Sequence, residues 1–319
     1  ASTVLKPAGP AAMGLDPQPI ADGAAQLAAH TRPQQNGYPL FPGYAAMMGH
    51  DGRIVANVHG GHAALYADDK RKLSPSEQVP MRGDTIFDMA SVSKLFTSIA
   101  AVQLIEEGRL DISEPVSTYL PQFGVNGKQD ITVRMLLTHT SGLVSWLPLW
   151  STYPDKASRL KAVMEVEPKD TPGTTYTYSD LNLITLGLIV ETLRGMSLDQ
   201  VIAQRITLPL GMKDTGYNPT ADRSRIAATE YQPLTKRGLV WGEVQDENAW
   251  SLGGVAGHAG IFSTTRDMSL LAQALLNGGT YQGARILSER AVELLITNFN
   301  EKFPEDDHGL GFELNQRWY

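Results

Sequence analysis

The chain has 319 residues, a net charge of −7 and no cysteine. Its length fits one large domain or two intertwined ones, and an apolar content of 42% is enough for a sizeable core. The missing cysteines exclude disulfides, thiol catalysis and cysteine–zinc sites. The acidic balance argues against nucleic acid or an anionic membrane surface as the main partner. No apolar run reaches membrane-spanning length, and no charged-then-apolar signal peptide is present.

Residues 1–24 are rich in Ala, Pro and Gly and read as a loosely held leader, with a short helix expected at Ala25–His30. Tyr44–Met48 and Arg53–Val58 are apolar runs around Asp51-Gly52, a strong hairpin signal. Residues 68–84 are charged and punctuated by Pro and Gly, so a connecting loop is expected. A helix is predicted from Ser91 to Glu107, with Gly108 as its stop and Leu95, Ile99, Val102 and Leu104 as its apolar stripe. Thr132–Leu137 reads as helical, and residues 143–176 as a long surface excursion carrying Trp146 and Trp150. Leu181–Arg194 is a helix ended by Gly195, followed by a second at Ser197–Arg205 with Ser197 as N-cap. Residues 223–250 have no clear period. Thr265–Leu276 is helical, Ser288 caps a last helix, and His308–Leu314 reads as the start of a strand.

Ser91-Val92-Ser93-Lys94 puts a hydroxyl at a helix start and an amine one turn later on the same face. A serine hydroxyl needs a neighbouring base to become a useful nucleophile, and a desolvated lysine can serve. The first-turn N–H groups favour developing negative charge, so the Ser91 N–H is a candidate oxyanion donor. Tyr178, in Tyr178-Ser179-Asp180 at the next long helix, is the candidate proton shuttle. Alone, Ser-x-x-Lys also describes an N-capping serine followed by a solvated lysine.

Asp84 to Lys94 resembles the nucleophile segment of the serine β-lactamase and penicillin-binding-protein superfamily, in its class C β-lactamase and esterase branch. Ile131 to Leu143, Pro172-Gly173 through Gly187, Pro209 to Met212, Gly257 to Met268 and Gly309 to Phe312 match further segments in the same order. The resemblance covers about residues 40–314. It implies acyl-enzyme chemistry at Ser91, with Lys94 and Tyr178 as base and proton relay. It also implies an α+β fold, an antiparallel sheet with flanking helices packed on a mostly helical subdomain. Two departures stand out. Asp180 replaces the more usual Asn of the second motif, and an ionised Asp only accepts hydrogen bonds. The third motif, Lys-Thr-Gly or His-x-Gly on a central strand, has a string match in His258-Ala259-Gly260, but its context resembles an earlier segment. The expectation is therefore a chain lacking the C-terminal central strands. Asp180, His258, Ala259 and Gly260 are expected as substrate contacts on the cleft rim.

Several features have plainer readings. His59 and His62 form a histidine pair without a nearby third ligand, and no metal or cofactor is expected. His139 reads as a packing and capping residue. Gly253 to Gly257 lacks the spacing of a phosphate loop. Asp246 and Glu247 read as a solvated loop or, alternatively, as paired carboxylates that could hold a substrate amine. Trp146, Trp150 and Trp241 are candidate cleft walls.

The expected organisation is one incomplete domain over residues 1–319, divided as a leader (1–24), part of an α/β subdomain (25–85), a mostly helical subdomain (86–304) and a return to the sheet (305–319). The expected function is serine hydrolysis of amides or esters, of cell-wall origin or small. A true β-lactamase and a non-catalytic binding scaffold are the alternatives. A small-molecule or muropeptide-like substrate, no nucleic-acid partner, a monomer completed by a C-terminal segment, and an extracytoplasmic location complete the expectation.

Overall fold

The computed structural model describes residues 3–318. Its N-terminal part is a small sheet. β1 (Lys6–Pro7), β2 (Gly43–His50), β3 (Arg53–Ala64) and β4 (Val79–Pro80) form it, in the order β1-β3-β2 with β4 also on β3. β2 and β3 are antiparallel, from Gly43 opposite Gly61 to His50 opposite Arg53. Asp51 and Gly52 make the turn with φ of 47° and 76°, the paired positive angles that favour Asp-Gly in tight hairpins. The predicted hairpin is present, and its second strand runs on to Ala64. His59 and His62 lie within that strand, separated by Gly60 and Gly61.

The expected leader is corrected. β1 pairs in parallel with β3, and α1 (Pro17–His30) packs on β3. Asp16 accepts the Gln18 N–H at 3.0 Å and Pro17 takes the first helical position. That is the usual N-terminal helix signal, overlooked among the surrounding Ala and Pro.

The rest of the chain forms the helical body. β5 (Phe87–Asp88) leads into α2 (Ser93–Glu106). Then come α3 (Val133–Leu137), α4 (Leu149–Thr152), α5 (Lys156–Glu165), α6 (Asp180–Arg194) and α7 (Leu198–Ile202). β6 (Gly216–Tyr217), the β7–β8 hairpin (Tyr231–Gln232, Gly238–Leu239), α8 (Glu247–Ser251) and β9 (Ile261–Ser263) follow. α9 (Thr265–Leu276), the β10–β11 hairpin (Thr280–Tyr281, Ala284–Arg285), α10 (Glu289–Ile296) and the β12–β13 hairpin (Asp306–His308, Glu313–Gln316) end the described chain. The predicted strand at His308–Leu314 is thus a hairpin, with residues 309–312 as its turn. Ser197 stands at the N-cap of α7, but its side chain makes no capping bond; Glu191 takes the Leu198 N–H instead, at 2.8 Å.

α2 is the centre of the body. It packs against α6, α7 and α10, and Phe96, Ile99, Ala100, Val102 and Leu104 on it are wholly buried. A helix buried on nearly all sides needs no single apolar stripe, so the predicted stripe understates its burial. Each large apolar side chain here contributes about 1.5–3 kcal/mol through burial. α6 and the segment Leu198–Thr207, which is α7 with the turn that follows it, are together apolar, but the break between them is bent by 75° and α6 is part of the core; no single described helix is long and apolar enough to cross a membrane.

A second small sheet, in the order β5-β9-β6, positions the site. Phe87 pairs with Ser263 and Asp88 with Phe262, so the turn before α2 lies beside residues 257–260. Gly257 lets that segment approach α6: a Cβ at this position would stand 2.0 Å from the Leu183 carbonyl oxygen.

Candidate active site

Ser91 occupies a short 3-10 turn, Ala90–Val92, at the entrance to α2. Ala90 has φ of 48°, a left-handed conformation that costs a residue with a Cβ about 1–2 kcal/mol. Neighbours hold it there. The Ala90 N–H donates to Asp88 Oδ1 at 2.8 Å, and Asp88 Oδ2 accepts the Gln245 N–H at 2.7 Å. Burial pushes the Asp88 carboxyl above its ordinary range despite these bonds. One residue past the turn, the Ser93 hydroxyl accepts the Ile261 N–H at 3.0 Å and ties β9 to α2.

Lys94 is buried, and its Nζ lies 2.8 Å from Ser91 Oγ, 3.0 Å from the His258 carbonyl oxygen and 2.9 Å from Asp180 Oδ1. Three acceptors match the three protons of an ammonium. In the neutral amine, two N–H groups can stay on His258 and Asp180. The lone pair then faces the Ser91 hydroxyl.

Asp180 reaches Lys94 from the first turn of α6. The N-cap is Ser179 rather than Asp180: its Oγ accepts the Leu181 N–H at 3.2 Å and donates to the Val144 carbonyl at 2.6 Å. This leaves the Asp180 carboxylate free for Lys94. The Tyr178 ring centroid is 4.9 Å from Lys94 Nζ and 4.8 Å from the His139 ring. Tyr178 is partly open to solvent, whereas Lys94 and His139 are buried. Asn182 is buried beside His139, its Nδ2 3.0 Å from His139 Nδ1.

The segment after Gly257 contributes differently from expectation. His258, Ala259 and Gly260 were predicted as rim contacts, yet all three are buried, and His258 is only 1% exposed. β9 pulls the segment into the core, so it presents its backbone to the site. The His258 ring is held beneath the site by Asp246, with Nε2 2.6 Å from Asp246 Oδ2. That oxygen also accepts the Ala249 N–H at 2.8 Å and caps α8. Asp246 therefore belongs to the structured site and not to a solvated loop. Burial opposes its ionisation, but the His258 and Ala249 bonds outweigh it and leave the carboxyl below its ordinary range. No sequence spacing links Asp246 to His258; only the folded path from α8 to β9 does. Asp180, Asp246 and His258 bring possible ligand atoms within 4.8 Å of one another, but Lys94 already supplies a cation there, against Asp180.

The tryptophans divide. Trp146 is exposed, and the Trp150 N–H donates to Asn248 Oδ1 at 3.1 Å, which joins α4 to α8. Trp241 is stacked under Arg223, 4.3 Å from the guanidinium, and donates to the Ile226 carbonyl at 2.7 Å, contacts unrelated to Ser91.

A family model described as Beta-lactamase matches residues 34–319. A protein of Salmonella schwarzengrund (strain CVM19633), provisionally named a D-alanyl-D-alanine carboxypeptidase, is 32% identical, over 86% of this chain and 69% of its own length. A penicillin binding protein from Bacillus halodurans shares the fold at 25% identity and a TM-score of 0.65, over 86% of this chain and 80% of that one. A class C beta lactamase from Rhodobacter sphaeroides does so at 25% and 0.66, over 89% and 71%. The fold is accordingly the α+β arrangement that the motifs implied, and the chain belongs to the Beta-lactamase family of serine hydrolases.

Proposed function

We propose that this protein hydrolyses amide or ester bonds through an acyl-enzyme on Ser91. The observation that carries this reading is the 2.8 Å contact from the buried Lys94 Nζ to Ser91 Oγ. The Ser91 proton passes to Lys94 as Oγ bonds to the substrate carbonyl carbon. The resulting oxyanion is met by the Ser91 N–H at the helix entrance. As the carbon–nitrogen or carbon–oxygen bond breaks, the proton passes by way of the Tyr178 hydroxyl to the leaving group. Water then attacks the ester carbonyl carbon, the bond from that carbon to Oγ breaks, and a proton from the water passes to Ser91 Oγ.

The substrate class we favour is a cell-wall-type peptide or a small ester, outside the cytoplasm. The relative's carboxypeptidase name supports the peptide. Asp180 disfavours a dedicated β-lactamase, because a carboxylate offers no donor to a lactam carbonyl.

The test is intact-protein mass spectrometry after incubation with a fluorophosphonate and, separately, with penicillin G. A single adduct on Ser91 from the fluorophosphonate, absent in Ser91→Ala, supports the reading. Turnover of a D-alanyl-D-alanine peptide or of para-nitrophenyl acetate then separates peptidase from esterase. Absence of any Ser91 adduct from either reagent would sink the proposal in favour of a binding scaffold. Rapid turnover of penicillin G would instead identify a β-lactamase.

A further inference from the structure

The Thr177–Tyr178–Ser179 segment is gripped at both ends by one residue. The His139 carbonyl accepts the Thr177 N–H at 2.9 Å, and His139 Nδ1 accepts the Ser179 N–H at 3.1 Å. Between these two bonds the imidazole lies against the Tyr178 ring, with centroids 4.8 Å apart and planes 34° apart. His139 itself sits at φ of 59°, a left-handed conformation that aims both its carbonyl and its ring at the same segment.

The tautomer follows from the donors. A peptide N–H cannot be reversed, so the Ser179 bond requires a lone pair on Nδ1. The ring proton must therefore be on Nε2. Asn182 Nδ2 lies 3.0 Å from the same Nδ1, and Asn182 Oδ1 is held by the Ser141 hydroxyl at 2.6 Å. A proton on Nδ1 would face the Ser179 donor at hydrogen-bond distance. The charged and titratable groups around the ring are His308, Tyr176, Tyr178 and Lys94.

We infer that His139 is a positioning residue for Tyr178: as the neutral Nε2–H tautomer it holds the tyrosine beside Lys94 and Ser91. This rests on the role assigned to Tyr178 above. His139 does not reach the reacting atoms; it acts through the segment it grips.

A double-mutant cycle tests this, with turnover of para-nitrophenyl acetate as readout. His139→Phe keeps a ring and removes the Nδ1 acceptor. His139→Asn keeps an acceptor at the δ position and tolerates the positive φ. In the native background, His139→Phe is expected to lower kcat about 10- to 100-fold with little change in KM, and His139→Asn to lose less. In a Tyr178→Phe background, either His139 change is expected to cost less than about twofold. Equal losses in both backgrounds would overturn the inference and leave His139 a structural residue. Full activity in Tyr178→Phe alone would remove the role of Tyr178 and the inference with it. Should His139→Phe fail to fold, the cycle with His139→Asn alone decides by the same criterion.

Discussion

The Asp180 carboxylate stands 2.9 Å from Lys94 Nζ, with only 19% and 10% of the two side chains exposed. A pair so shielded responds strongly to loss of one member, because the other remains as an unmatched charge. Asp180→Ala is expected to destabilise the fold by about 2 kcal/mol, the usual 3–5 being reduced by the remaining exposure. Asp180→Asn keeps an oxygen acceptor for Lys94 and should cost less than half as much. Urea unfolding of both variants measures this. Equal stability of Asp180→Ala and the parent would mean that the pair contributes nothing.

Gly257 and Gly253 are four residues apart and make opposite predictions. At Gly257 a Cβ would meet the Leu183 carbonyl oxygen at 2.0 Å, and backbone cannot yield as a side-chain tip can. Gly257→Ala should therefore cost about 3 kcal/mol or more and disturb the His258 carbonyl on which Lys94 rests. Gly253 has φ of +86° but open space around it, so Gly253→Ala should cost only about 1–2 kcal/mol of backbone strain. Thermal melts of the two variants suffice. A Gly257→Ala protein as stable as Gly253→Ala would contradict the close approach of this segment to α6.

What could be read from sequence was what is local. Ser91 and Lys94 are one helical turn apart, so their meeting follows from helix geometry. Tyr178 and Asp180 were legible only through the resemblance of their motif, because their approach to Lys94 depends on the packing of α6 against α2. The Asp51-Gly52 hairpin was legible from its local turn signal. The burial of residues 258–260 was not. It depends on β9 pairing with β5, which sets Phe87 opposite Ser263, 176 positions further along the chain. The Asp246–His258 contact depends on the same long-range pairing. The meeting of His139 with Ser179 is long-range in its own right, joining the end of α3 to the start of α6 across 40 positions.

Asp246 should matter even though it does not touch Ser91. Asp246→Ala removes the acceptor of a wholly enclosed His258 N–H and the cap of α8 together. The orphaned donor costs about 1–3 kcal/mol and the cap about 1 kcal/mol. Asp246→Asn retains one oxygen, which can take the place of Oδ2 for both donors, and should recover much of this. With the ring released, the His258 carbonyl loosens from Lys94, and kcat should fall about tenfold in Asp246→Ala. The measurement is kcat beside unfolding free energy for both variants. Loss of stability with unchanged kcat would confine Asp246 to a structural role.

Stability should fall below neutral pH. His139 is held well below the ordinary 6.5 by burial, helped by His308 and Lys94. Burial also lowers His308, against the opposing bond to Gly309. Both are neutral in the folded protein where an unfolded histidine has begun to take a proton. The unfolded state then binds more protons, so stability is full above about pH 6.5 and declines as the pH drops. Each group contributes up to about 1.4 kcal/mol per pH unit until its folded value is reached. Asp88, Asp267 and Glu313 are raised by burial and act with the opposite sign, gaining protons in the folded state first. They offset part of the decline, and the comparison with His308→Gln separates a histidine contribution from theirs. Urea unfolding from about pH 7.5 to 5.5 should show the decline, with a shallower slope in His308→Gln. A flat profile from pH 7.5 to 5.5 would mean that the two histidines accept protons in place, and the Nδ1 bond from Ser179 would then have to break without cost to the fold.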